Sequence, residues 1–182
     1  FFNIPIDNLV ALPVFTKYFK KQNIKDLVIV SPDHGGATRA RNFAVNFDNA
    51  PLAIIDKRRT RPNVVESMTV IGDVKDKNVV IVDDLIDTAG TLVNAIRVLK
   101  EAGAKDIYMC ATHAVLSGPA IERIQNSELK QLIVTNSIEL PKEKRIDKIV
   151  QLSIAPMIAN TILNILDNKA ISDLFIYNPD EQ

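Results

Sequence analysis

The sequence predicts an α/β domain with a mainly parallel sheet flanked by helices, and three observations carry that prediction. Apolar, β-branched runs such as residues 27–30 (LVIV), 51–55 (PLAII) and 79–82 (VVIV) have no polar interruption, as strands buried on both faces of a parallel sheet require. They alternate with stretches whose apolar residues recur at helical spacing. No internal repeat and no long Gly/Pro/Ser linker divides the 182 residues, so a single domain with a solid core follows.

Leu12, Phe15, Tyr18 and Phe19 recur at helical spacing and lead, through the polar residues 20–25, into a strand at 26–30. Residues 38–47 read as the second helix and 51–56 as the next strand. Strands at 68–74 and 78–82 follow, separated by the turn-like Lys75-Asp76-Lys77, the first of them a hairpin-like excursion beside the main sheet. Leu92, Ile96 and Leu99 mark a helix over 91–102, which Gly103 is suited to stop, and 107–112 is the strand after it. Gly118 and Pro119 suit the start of a short helix over 119–125. Residues 131–135 and 148–153 read as later strands. Between 156 and 166, Met157, Ile158, Ile162, Ile165 and Leu166 form a helical stripe of the kind that packs into a core.

A hydrophobic content of 47% against 24% charged is that of a globular chain, with no segment biased enough to suggest disorder. Lys plus Arg and Asp plus Glu number 22 each, so the formal net charge is zero. That balance argues against a broad nucleic-acid footprint and leaves room for a local cationic loop that serves a small phosphate ligand. The single cysteine, Cys110, lies in the apolar run IYMCAT, reads as a buried structural thiol and fits a reducing cytoplasm. No stretch is long and apolar enough to span a bilayer and no signal peptide opens the chain, so no membrane partner is expected. The chain begins Phe-Phe-Asn with no Met, as a processed chain or a fragment would.

The most informative stretch is 79–91, VVIVDDLIDTAGT. Asp83 and Asp84 fall at the carboxyl end of a predicted strand, where open α/β sheets bind ligands. Asp87-Thr88-Ala89-Gly90-Thr91 then opens a helix, whose free N–H groups and positive dipole end suit a phosphate. Gly90 lets backbone approach closely, and the two Thr hydroxyls add hydrogen bonds. Carboxylates beside an anion make sense if they accept hydrogen bonds from sugar hydroxyls or share a divalent cation. Plain capping and turn residues are the competing explanation, but a cap needs one such residue and this stretch supplies six.

Two further loops bear on the chemistry. Ser31-Pro32-Asp33-His34-Gly35-Gly36 follows a strand; Gly35 and Gly36 allow a nest of N–H donors, and Asp33 can take a magnesium ion directly or through water. An ordinary Gly-rich turn would look similar. Asp56-Lys57-Arg58-Arg59-Thr60-Arg61-Pro62 carries cations that cannot pack together in a core, so it is either a solvated run or a loop awaiting an anion. His113, one of two histidines, ends an apolar strand and reads as a satisfied structural or supporting residue in preference to a general base.

The 79–91 run resembles the 5-phosphoribosyl 1-diphosphate (PRPP) binding motif shared by type I phosphoribosyltransferases and PRPP synthetases. The PDHGG loop, the DKRR loop and ATHAVLSGPAIERI (111–124) resemble the synthetases in particular, and the similarity runs from FFNIPIDNL to ISDLF. Ala114 stands where that family would have glycine, so the turn there is expected to differ. The resemblance implies a type I phosphoribosyltransferase-like fold, with 1–182 as the carboxyl-terminal domain of a two-domain enzyme whose amino-terminal domain is absent. It implies transfer of the diphosphate of ATP to C1 of ribose 5-phosphate, giving PRPP and AMP for nucleotide biosynthesis, with Mg2+ as cofactor.

By the same resemblance Lys57 and Arg59 are catalytic, and Asp87, Thr88, Ala89, Gly90 and Thr91 hold the 5-phosphate. Asp83 and Asp84 orient the ribose hydroxyls, directly or through a second magnesium. Asp33 serves the first metal, with His34, Gly35 and Gly36 around the diphosphate. A homo-oligomer, commonly a hexamer, is implied in the complete enzyme, with Arg39, Ser117 and Ser172 as candidates for a regulatory anion site. A base phosphoribosyltransferase that consumes PRPP, and a noncatalytic regulatory partner of the synthetase, remain as alternatives. The partner would be expected to have damaged loops, whereas DDLIDTAGT, PDHGG and DKRR are intact.

Overall fold

The computed structural model describes residues 2–58 and 67–175. Its described elements follow the alternation in the sequence: α1 (Leu12–Gln22), β1 (Leu27–Ser31), α2 (Ala37–Val45), β2 (Leu52–Arg58), β3 (Ser67–Ile71), β4 (Asn78–Ile86), α3 (Gly90–Glu101), β5 (Ile107–Ala114), α4 (Ala120–Asn126), β6 (Leu129–Thr135), β7 (Ile149–Leu152) and α5 (Ala155–Leu166). Short 3-10 turns lie at Lys142–Lys144 and Ser172–Phe175. The seven strands form one sheet in the order β3-β2-β1-β4-β5-β6-β7. All neighbours are parallel except β3, which pairs antiparallel with β2 at the edge. The expected hairpin-like excursion is therefore an edge strand of the main sheet.

Strand alternation sorts the side chains into two apolar layers. Val28, Val30, Val79 and Ile81 pack with Leu92, Ile96 and Leu99 of α3 and Ile124 of α4. Ile29, Val80 and Val82 pack on the other face with Phe15 and Phe19 of α1 and Phe43 of α2. Cys110 belongs to this second layer and is fully buried, and that burial drives its thiol pKa well above the usual value. It is the structural thiol its context suggests.

The chain leaves β1 towards β2 and leaves β4 towards β5, so the adjacent strands β1 and β4 form the switch point of the sheet. Pairing between them reaches Val30 against Ile81, whereas β4 and β5 stay paired as far as Ile86 against Ala114. This corrects the expected end of the strand at 82. Asp83 and Asp84 lie inside β4, beyond the reach of β1 and with β5 as their remaining neighbour.

Other boundaries move little. Gly103, at φ +88°, closes α3 as expected: its N–H donates to Lys100 O at 2.9 Å, while that of Ala104 donates to Leu99 O at 3.0 Å. Ala114 keeps extended strand geometry; the left-handed residues follow it, Leu116 at φ 49° with its side chain fully buried and Gly118 at φ 53°.

The expectation for α5 is overturned. Of this helix only Thr161 is buried, while Ile162, Leu163 and Ile165 are 53–58% exposed and Leu166 is 71% exposed, so the stripe is not core within this chain. The helix follows the short edge strand β7 and packs on the 3-10 turn Ser172–Phe175. Among the described residues, no helix is long and apolar enough to cross a membrane.

Candidate active site

The carboxyl ends of β1, β2 and β4 surround a cleft of about 350 Å³. Pro32 and Asp33 enter it from the loop after β1, Lys57 from the end of β2, and Ile81 and residues 83–92 from β4 through the start of α3. Three segments far apart in sequence thus meet at the switch point.

Asp83 and Asp84 are held by Arg39, which projects from α2. Its Nη1 donates to Asp83 Oδ1 at 3.0 Å and its Nη2 to Asp84 Oδ2 at 2.8 Å. Backbone N–H groups add to the set, Asp84 to Asp83 Oδ1 at 2.9 Å and Leu85 to Asp84 Oδ1 at 2.8 Å. Burial pushes the Asp83 carboxyl up to about 6, with the neighbouring Asp84 adding to the rise and Arg39 opposing it. For Asp84, burial also acts upward, but the Arg39 guanidinium and the local hydrogen bonds outweigh it and hold this carboxyl below its usual value. Neighbouring carboxylates are thus driven in opposite directions, a pattern typical of functional sites.

The loop after β1 is tied by its own side chains. Ser31 Oγ donates to Asp33 O at 2.6 Å, and Gly36 N–H donates to Asp33 Oδ1 at 2.9 Å, so one Asp33 oxygen ties the turn just ahead of α2. A Cβ at Gly36 would lie 2.8 Å from Ser31 Oγ, so a side chain there would force the Ser31 hydroxyl to move. His34 turns towards the end of β2, with Nε2 3.0 Å from Asp56 Oδ1.

The loop before α3 is anchored at Ile86 and Ala89, both buried, with the exposed Asp87 and Thr88 between them. Ala89 takes a left-handed conformation, φ 59°, and so delivers Gly90 and Thr91 to the first turn of the helix. That conformation costs a non-glycine residue about 1 kcal/mol, which burial of the Ala89 methyl offsets in part. Two side chains brace the loop from outside: Ser117 Oγ donates to Asp87 Oδ1, and Arg123 Nη1 donates to Thr88 O at 2.9 Å. A substituent at Gly90 would meet that guanidinium at 3.4 Å.

The cleft therefore gathers Asp33, Lys57, Asp83, Asp84 and residues 87–91. His34, Gly35 and Gly36 adjoin it without forming its lining. Arg59 lies outside the described residues. His113 is exposed and bonds Ser137 Oγ at 2.9 Å, in a supporting position away from the cleft lining. Arg39 lies on α2 and bonds the acidic pair, Ser117 lies in the loop between β5 and α4 and bonds Asp87, and Ser172 lies on the 3-10 turn that packs on α1. Sequence reading did not pair Arg39 with the acidic residues, nor Asp56 with His34, nor single out Arg123. A basic residue one turn into the helix after a glycine loop was the available signal for Arg39.

Among the described residues no group of three or more His, Cys, Asp or Glu side chains could hold a metal by itself. Magnesium does not require such a cage, because it usually keeps several waters and takes one or two carboxylates plus substrate phosphates. Asp33, with one oxygen engaged by the Gly36 N–H and its side chain on the cleft, fits that kind of shared ion.

The family model described as the phosphoribosyl synthetase-associated domain matches residues 46–176. Ribose-phosphate pyrophosphokinase from Bacillus caldolyticus is 56% identical over 175 residues, 96% of this chain and 55% of the relative. The chain belongs to the ribose-phosphate pyrophosphokinase family. The same enzyme from Corynebacterium ammoniagenes is 55% identical over the same coverage. The crystal structure of phosphoribosylpyrophosphate synthetase from Mycobacterium smegmatis superposes with a TM-score of 0.85 at 40% identity, covering 92% of this chain and 54% of that one. The chain thus spans about half the length of its pyrophosphokinase relatives.

Proposed function

We propose that this chain is the carboxyl-terminal domain of a ribose-phosphate diphosphokinase, which transfers the diphosphate of ATP to ribose 5-phosphate to give PRPP and AMP. The observation that carries the reading is the meeting, in one cleft, of a phosphate-type helix start, an acidic pair and a lysine beside a second glycine loop. Two anionic substrates can be held there side by side, and holding them in line is most of the physical task in phosphoryl transfer.

In this reading the N–H groups at the start of α3 and the hydroxyls of Thr88 and Thr91 hold the 5-phosphate. Asp83 and Asp84 accept hydrogen bonds from the ribose hydroxyls and so aim O1 at the β-phosphorus of ATP. A bond forms between O1 and that phosphorus as O1 gives up its proton to water, the bond from that phosphorus to the α,β-bridging oxygen breaks, and AMP leaves with that oxygen. Lys57 and Arg59 stabilise the charge that develops on the transferred group. Asp33 would hold a magnesium ion, which when bound neutralises diphosphate charge. The complete enzyme is read as a cytoplasmic homo-oligomer, a hexamer in the family's usual form.

The test mixes the full-length parent with magnesium-ATP and ribose 5-phosphate and measures AMP, with this chain assayed alongside. AMP formation is expected from the parent, and Lys57→Ala in it should lower kcat by ~100-fold, the scale of one electrostatic catalytic contact. Failure of the parent to form AMP would overturn the reading in favour of a noncatalytic partner. Product from PRPP and a base without ATP would instead make it a base phosphoribosyltransferase.

A further inference from the structure

The acidic pair already has a cation, and it comes from the protein. Arg39 stands three positions past Gly36 on α2, and its guanidinium crosses from the β1 side of the switch point to β4. Its two terminal nitrogens address two different carboxylates, Asp83 at 3.0 Å and Asp84 at 2.8 Å. The Arg39 side chain is 35% exposed and that of Asp84 is 58% exposed. Ion pairs this open to solvent add little to folding stability. What the fork does is geometric and electrostatic: it aligns the oxygens of two adjacent carboxylates that would otherwise repel each other, and it places a fixed positive charge beside them.

Sugar hydroxyls and divalent cations respond differently to that charge. A hydroxyl is a neutral donor and can share a carboxylate that also accepts from a guanidinium, because each oxygen has more than one acceptor site. A divalent cation draws on the same two carboxylates as ligands and meets a guanidinium nitrogen that already sits 2.8–3.0 Å from one oxygen of each. We propose that Arg39 is a positioning residue that reserves Asp83 and Asp84 for sugar hydroxyls and keeps a divalent cation from settling on them. The inference rests on reading this cleft as a ribose 5-phosphate site, and it assigns the metal to the Asp33 side of the cleft alone.

Arg39→Gln and Arg39→Lys in the full-length parent test it. Arg39→Gln should raise KM for ribose 5-phosphate about tenfold or more while KM for ATP changes by less than about twofold, the scale of one lost charge-assisted hydrogen bond felt by one substrate. In the substrate-free protein, Mn2+ titration followed by electron paramagnetic resonance should show binding tightened about tenfold, or an added site, in Arg39→Gln. Arg39→Lys keeps the charge without the fork, so it should exclude Mn2+ as the parent does and recover only part of the sugar KM. Thermal melts should match the parent for both variants. An unchanged ribose 5-phosphate KM, an equal rise for ATP, or unaltered Mn2+ binding in Arg39→Gln would each overturn the proposal. A parent that forms no AMP would instead reject the reading of the cleft, and the Mn2+ titration would still judge the role of Arg39.

Discussion

Helices α3 and α5 are both 12 residues long and both carry an apolar stripe, yet they end in opposite circumstances. Helix α3 buries Leu92, Ala95, Ile96, Val98 and Leu99. Helix α5 buries Thr161 and leaves Ile158, Ile162, Leu163, Ile165 and Leu166 between 40% and 71% exposed. The difference lies in topology. Helix α3 joins β4 to β5 and so crosses the middle of the sheet, whereas α5 follows the edge strand β7. Periodicity says that a helix face requires an apolar partner; the order of the strands decides whether this chain provides it. The same placement gives α3 its second role, since a helix packed against the centre of the sheet presents its N-terminus at the switch point.

The largest effect expected from this contrast is on stability. Leu99 is fully buried between α3 and the sheet, so Leu99→Ala should destabilise the chain by about 2–5 kcal/mol, the range for deleting a core leucine side chain. Urea unfolding followed by circular dichroism measures it. A cost below about 1 kcal/mol would mean that α3 is no better packed than α5, and the contrast would fail.

Charge sharpens the same comparison, because the burial that fixes α3 also reaches Asp83. Its folded-state pKa is raised to about 6 from the ordinary 3.8, with burial the first cause. A raised carboxyl binds its proton more tightly in the folded state, so its contribution to stability is complete below pH 3.8 and is lost as pH rises through about 6. Asp84 is shifted downward, so its contribution is present above 3.8 and disappears only in stronger acid. The two windows do not overlap. Melting temperature should therefore fall more between pH 4 and 7 in the wild type than in Asp83→Asn. Parallel curves for the two proteins would show that Asp83 titrates as a solvent-exposed carboxylate does.

The strands of the central sheet were legible because a residue buried on both faces must be apolar and is often β-branched, as in residues 79–82. Even so, β4 ran on through Asp83 and Asp84 to Ile86, held by β5 alone, and nothing in the letters DDLI announces a strand. The members of the cleft were legible for a similar reason: carboxylates, glycines and hydroxyls at strand ends have few purely structural uses together. Their bracing was not. Arg39 and Asp83 are 44 positions apart and His34 and Asp56 are 22 apart, so only the parallel order of β2, β1 and β4 brings them into contact. The misreading of α5 has the same root, since a stripe on a helix is a local property and its cover is not.

The smallest expected effect is the most diagnostic of that last point. Leu163 is 56% exposed, so Leu163→Ala in this chain should change unfolding free energy by no more than about 0.5 kcal/mol, as substitutions away from packed sites do. An exposed leucine contributes little because its surface remains in water in both the folded and unfolded states, and truncating it opens no cavity. A loss of about 2 kcal/mol or more would show that α5 is packed within this chain and would erase its difference from α3. Repeating the substitution in a longer parent turns the measurement into a probe of cover: a cost that climbs towards the Leu99→Ala value there, but stays near zero here, would mean that the stripe is a core residue set whose other half lies beyond these 182 residues.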